Sequence, residues 1–192
     1  LTFTPASNEY GAGYASFDFQ VQDDGGVANG GVDIDQSPNT ITIDVTEVND
    51  EPAGADITLT TLEDTTLTFT AANFGFTDVS DSPSDNLLSV IITTLPASGV
   101  LQLSGVDVTA GQEIAVADIP NLTFTPAANE HGVGYDTFTF QVQDDDGTAN
   151  GGQDTDQTPN VVTFDVVSVN DEPTGADNTV TTLEDTDYVF TT

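Results

Sequence analysis

Apolar and polar residues alternate over much of the chain. In "YDTFTFQVQD" the residues Phe138, Phe140 and Val142 occupy every second position, as do Ile41, Ile43 and Val45 in "TITIDVTEV" and Leu101 and Leu103 in "GVLQLSG". A period of two puts one set of side chains on one face of an extended backbone, so each run predicts a β-strand with one buried face. The stretches between them, "DSPSDN", "PASG", "TAGQ", "AANEHGVG" and "DDDGTANGG", are turn-forming. Pro fixes φ, Gly accepts positive φ, and Asn or Asp bond to nearby backbone. No long 3.6-residue pattern competes. Seven or so short strands at this spacing predict an all-β chain, an antiparallel β-sandwich with Greek-key connections.

The pattern also returns. "LTFTPASNEYGAGYASFDFQVQDDGG" at Leu1 reappears as "LTFTPAANEHGVGYDTFTFQVQDDDG" at Leu122, a gapless offset of 121 residues that carries "VNDEPAGAD" onto "VNDEPTGAD" and "TTLEDT" onto itself. Cut at the NDEP punctuation, the chain holds the back of one repeat (1–51), one complete repeat (52–172) and the front of another (173–192). Such tandem periodicity predicts a modular rod whose units touch mainly their neighbours, each long enough to have its own core.

Charge changes this picture. The chain has 33 Asp plus Glu, one His, no Lys and no Arg, for a formal net charge of −33. No Lys or Arg salt bridge can form, so a clustered or buried carboxylate must find water, a backbone N–H or a metal ion. Phosphate binding rests on Lys and Arg, which excludes nucleic acid as a partner and makes anionic membrane surfaces equally unsuitable. No apolar run approaches the ~20 residues that span a bilayer, so membrane insertion is not expected. No basic stretch with an apolar h-region opens the segment, and a targeting signal would lie elsewhere in a longer parent. The absence of Cys excludes disulfides and thiolate chemistry. Apolar residues at 36%, with 11 Phe, suffice for a core.

The acids gather at strand ends and loops: Glu63 in "TTLEDT", Asp78 and Asp81 in "FTDVSDSPSDN", Asn129 and Glu130 in "AANEHG", Asp144 to Asp146 in "QVQDDDG", and Asn170 and Asp171 at the junction. Six to eight carboxylate and amide oxygens at ~2.3–2.6 Å are what calcium takes, whereas zinc would find one His and no thiol. For any single cluster, turn formation explains Asp, Asn and Gly equally well. Taken together they point to a cation, because Glu63 returns as Glu184 and Glu9 as Glu130, and turns need no particular Glu.

The order of "LEDT", then "DVSD", "NEHG", "YDTFTFQVQDD" and "VNDEP" resembles a cadherin repeat, with its early Glu, paired Asp, acidic turn, strand-end Asp and Asp-x-Asn-Asp linker. It is most similar to the bacterial cadherin-like repeats of giant surface and type I-secreted, RTX-type adhesins. The resemblance implies Ca2+ at each junction. Around the first junction, Asn8, Glu9, Asn49 and Asp50 would come from the leading repeat and Asp78, Asp81 and Asp144 from the following one. Around the second, Glu63, Asn129, Glu130, Asn170 and Asp171 would form the leading half of a site. Here the paired Asp is D-x-x-D, the Arg of the acidic turn is missing, and the loop from Asp144 to Asn170 is long.

The resemblance implies a calcium-rigidified spacer or filament module of an extracellular, secreted or cell-surface bacterial adhesin. The alternative is a carbohydrate-binding module that attaches cells to a biofilm matrix. Sugar platforms use exposed aromatics, yet the chain has no Trp and its Phe residues alternate as core, leaving Tyr10, Tyr14, Tyr135 and Tyr188. Enzymatic activity is not expected: His131 is the lone imidazole, and its counterpart in the other copy is Tyr10. The expected partners are neighbouring repeats of the same chain. Identical chains bridged laterally by calcium, and glycans, stay open.

Overall fold

The computed structural model describes residues 1–191, and among them the alternating runs become eleven strands. The leading half contributes β1 (Gly11–Phe19) and β2 (Asn39–Val45). The complete repeat contributes β3 (Ile57–Leu62), β4 (Leu67–Thr68), β5 (Leu87–Ile92), β6 (Val100–Leu103), β7 (Val106–Asp107), β8 (Gln112–Ala115), β9 (Leu122–Thr125), β10 (Gly132–Asp144) and β11 (Asn160–Val167). A five-stranded sheet ordered β3-β11-β10-β5-β8 faces a four-stranded sheet ordered β4-β9-β6-β7, and the chain crosses repeatedly between them. This is the β-sandwich that the sequence predicts, with one difference: β3 lies parallel to β11. The chain enters the unit along one and leaves along the other, both running toward the second junction. The Glu63 N–H accordingly donates to the Val167 carbonyl at 2.9 Å.

The inward faces of β9, β10 and β11 form the core. Leu122, Phe124, Phe138, Phe140, Val142, Val162 and Phe164 are fully buried, as are Phe69 and Phe74 from the first crossover. Phe124 stacks on Phe164 with centroids 3.7 Å apart, and Phe74 meets Phe140 edge-on at 4.9 Å. Burying each ring stabilises the fold by ~1.5–3 kcal/mol, which sets the scale that the acidic surface must not exceed.

The leading half repeats the local structure without that core. β1 and β2 pair only with each other. Phe17, Phe19 and Ile41 are exposed, although their counterparts Phe138, Phe140 and Val162 are fully buried. Residues 173–191 form no strand and are exposed throughout. Their "LEDT" turn nevertheless has the conformation of the first copy: Asp64 and Asp185 have φ 56° and 59°. Thr61 and Thr182 likewise donate to the carbonyls of Thr65 and Thr186. The turn is a local property, whereas the strands need partners.

Candidate metal centre at the repeat seam

At the first seam the leading half enters the complete repeat through Asn49. Its side chain is buried, and the amide donates to Asp144 Oδ1 at 3.0 Å, to the Gly147 carbonyl at 2.9 Å and to the Gln153 carbonyl at 3.2 Å. The Asn49 carbonyl accepts the Gln153 N–H at 3.0 Å. A Cβ at Gly152 would stand 2.9 Å from Asn49 Cβ, so only glycine lets this loop press against the seam. From the other side, the loop between Asp78 and Asn86 reaches the leading half. Asp81 accepts the Asp50 N–H at 3.1 Å, Asn8 donates to the Ser80 carbonyl at 3.4 Å, and the Tyr10 hydroxyl donates to the Ser82 carbonyl. A cleft of about 200 Å³ opens there, lined in part by Asn8, Glu9, Glu47, Asp50 and Asp81.

Three carboxylates of that loop, Asp78, Asp81 and Asp85, have ligand oxygens within 4.8 Å of one another. Asp78 and Asp81 are buried, and Asp144 is 0% exposed. Among the described residues three oxygens are buried without any hydrogen-bond partner: Asn49 Oδ1, Asp78 Oδ1 and Asp144 Oδ2. Asp156 provides the contrast. It is also buried, but it accepts the Gly54 N–H at 3.0 Å, the Thr158 N–H at 2.8 Å and the Asn160 amide at 2.7 Å. A buried Asp that only shapes a loop is thus satisfied in this fold, while those at the seam keep lone pairs free. Leaving such an oxygen unpaired costs ~1–3 kcal/mol. The donor set is all hard oxygen, which suits calcium, and the chain offers no cationic side chain there.

The cost of crowding these acids appears in their protonation. Burial pushes the carboxyls of Asp144 and Asp81 above the ordinary value of 3.8. Burial and then the neighbouring Asp146, Asp78, Asp144 and Asp81 push Asp85 up to about 6. The folded chain holds these protons more tightly than the unfolded one, so their stabilising contribution is complete below 3.8 and is lost as pH rises through each raised value, which for Asp85 is about 6. Glu63 works in the opposite sense. The Val169 N–H, helped by His131, holds it below its ordinary 4.5, and its contribution is lost as pH falls beneath that value. The metal-free protein should therefore melt at a higher temperature near pH ~5 than at pH ~7. Calorimetry in a chelating buffer checks this, and a melting temperature that climbs between those values would contradict it.

Of the residues expected at the first junction, the structure brings Asn8, Glu9, Asp50 and Asp81 to one cleft. Asn49 bonds to Asp144 behind it, and Asp78 lies within the acidic loop. Glu9 accepts the Tyr14 hydroxyl at 2.6 Å. At the second junction, Glu63 is buried and accepts the Val169 N–H and the Ser168 hydroxyl. Glu130 accepts the Tyr135 hydroxyl at 2.9 Å, and the Asn129 N–H donates to Asp64 at 3.1 Å. Asn170 and Asp171 are exposed. Sequence reasoning passed over two acids. Asp85 is the third acid of the loop already singled out, seven residues beyond Asp78. Glu47 sits beside Tyr10, whose hydroxyl pKa it raises, and its counterpart in the other copy is Ser168, so self-comparison hid it.

His131 Nδ1 lies 3.1 Å from Glu63 Oε2, within hydrogen-bond distance of the carboxylate. Ser168 reaches the other oxygen of the same carboxylate at 3.3 Å. A nucleophile relay needs the hydroxyl on the imidazole and the imidazole on the acid. Here both groups converge on the acid, an arrangement that orients Glu63.

The family described as bacterial Ig domain matches residues 49–157, more than half of the chain and beginning at the seam asparagine. No curated protein and no solved structure matches.

Proposed function

The chain belongs to the bacterial Ig domain family, and on that premise we propose that it is a spacer module of an extracellular bacterial surface protein whose repeat seams are stiffened by calcium. The observation that carries this reading is the set of buried, unpartnered oxygens on Asn49, Asp78 and Asp144 beside the triad Asp78, Asp81 and Asp85. These residues come from both sides of the seam, so one cation held among them would tie the two units together. Without it, their mutual repulsion opposes closure. Extracellular calcium modules bind at ~10⁻⁴–10⁻³ M, a range in which the ion content of the medium decides occupancy. The RTX-type adhesin resemblance of the sequence suits such a rod, whose role is reach and stiffness.

Asn49, Asp78, Asp81, Asp85 and Asp144 would hold the ion. Calcium supplies charge neutralisation and a multidentate link between backbone segments, and the chain's own part is to keep the oxygens dry and close. Small-angle scattering of the chain should show a larger, narrower distribution of end-to-end distances with calcium than with chelator. Asp85→Asn should weaken calcium binding by roughly tenfold, since one carboxylate charge is lost from the site. An unchanged scattering profile, or calcium binding that ignores Asp85→Asn and Asp81→Asn alike, would overturn the reading.

A further inference from the structure

The chain enters the complete repeat along β3 and leaves it along β11, and the two strands are neighbours in one sheet. They run parallel, from Ile57 beside Val162 to Leu62 beside Val167. At ~3.3 Å per residue the shared ladder is about 20 Å long. Acids fasten both of its ends. Ahead of β3, the Asp56 carboxylate accepts the Val161 N–H at 2.7 Å. Beyond it, the Glu63 N–H donates to the Val167 carbonyl at 2.9 Å, and the buried Glu63 carboxylate accepts the Val169 N–H and, at 3.3 Å, the Ser168 hydroxyl. Bonds to a charged acceptor are roughly twice as strong as neutral ones. A chain without Lys or Arg thus spends two carboxylates on holding its entry strand to its exit strand.

This topology fixes how tension acts on the unit. A pull from the preceding segment reaches β3 at Ile57 and draws it back toward the first seam, whereas a pull from the following segment reaches β11 at Val167 and draws it toward the second. In a parallel pair these two points lie at opposite ends of the ladder, so the strands slide along each other and every row is strained at once. An antiparallel entry and exit pair would be pulled from one end and would open row by row. Because β3 hands the tension directly to β11, the strands from β4 to β10 lie outside its path until the ladder parts. The only pairing between Ala53 and the start of β3 is shorter: Ala53 and Thr77 exchange two bonds of 2.8 Å at a single bridge.

We propose that the complete repeat is a tension-bearing unit, in which the β3–β11 ladder is a shear clamp and Asp56 and Glu63 are the staples at its two ends. The clamp uses residues 56–169 alone and does not rest on calcium at the seams. It resists the drawing out of each unit along the rod, which stiff seams do not prevent. Forced unfolding is governed by the barrier to opening and not by equilibrium stability, so the clamp raises the force a unit withstands without a matching rise in melting temperature.

Single-molecule force spectroscopy of the whole chain in chelator tests this, and the absence of Cys leaves the choice of thiol handles free. Handles from Thr2→Cys and Thr191→Cys pull along the clamp. Handles from Thr58→Cys and Thr137→Cys, exposed positions in one row across β3, β11 and β10, pull across it. In the lengthwise pull, release of residues 57–167 lengthens the tether by up to about 400 Å, which identifies the event. That event should need at least roughly twice the force of the crosswise opening, because many backbone bonds must part together and not one after another. Asp56→Ala, at an exposed position, should lower the lengthwise force by a larger fraction than the crosswise one, and Glu63→Gln should do the same. Equal forces in the two directions would overturn the clamp. A lengthwise force that ignores both substitutions, or variants that weaken both directions alike, would overturn the part assigned to the staples.

Discussion

Calcium at about a hundred times its dissociation constant should raise the melting temperature of the metal-free chain by roughly 5–10 °C. A site filled to that degree stabilises the folded state by ~2.7 kcal/mol through mass action. For a chain of this size each kcal/mol shifts the midpoint by about 2–4 °C. The effect should be larger than simple screening allows, because three of the oxygens that would meet the ion are buried and have no other partner. Magnesium demands near-octahedral geometry and sheds its waters reluctantly, so it should give a smaller rise at the same concentration. Differential scanning calorimetry with calcium, magnesium and sodium chloride at matched ionic strength separates the cases. Equal shifts in all three would reduce the seam to an acidic surface that any salt relieves.

Asn49→Ala should cost on the order of 3 kcal/mol in the absence of metal, against the 0.5 kcal/mol or less typical of exposed positions. The variant takes away the donors that satisfy Asp144 Oδ1 and the carbonyls of Gly147 and Gln153. Asp144 is fully buried and already has its other oxygen unpartnered, so the carboxylate would lose its only side-chain partner. The Asp146 N–H, at 3.1 Å, would be among the few donors left to it. Urea unfolding monitored by circular dichroism measures the loss, and a change below ~1 kcal/mol would show that the loop from Asp144 to Gln153 holds its shape without the asparagine. Asp144→Asn should act in the opposite direction without metal, since it removes a charge that burial already disfavours. It should also blunt the response to calcium.

The two seams show how far a chain can be read against itself. The resemblance to a cadherin repeat implies Asn49, Asp50, Asp78, Asp81 and Asp144 at one junction, and their acids stand out in a chain lacking Lys and Arg. Asp85 escaped because its loop is rich in Asp and Ser, where a third acid reads as turn chemistry until the backbone folds it within 4.8 Å of Asp78 and Asp81. Asp156 shows the converse. It belongs to an equally acidic stretch, yet it spends its oxygens on Gly54, Thr158 and Asn160. Composition could not separate the two, because both are Asp in a loop. Only the count of neighbouring donors tells them apart.

By itself the sequence determined the local elements: the period-two runs that became strands, and the turns at Asn8 and Asn129 or Asp64 and Asp185, which take the same left-handed conformation in both copies. These depend on residues a few positions apart, and the same residues give the same result whether or not a core surrounds them. The tertiary structure decided the rest. It set β3 parallel to β11, buried Phe138 while leaving the identical Phe17 exposed, and left the tail without a strand although its sequence nearly repeats that of β3 and β4. A strand is completed by the edge and the apolar face beside it, and both come from residues far away in the chain.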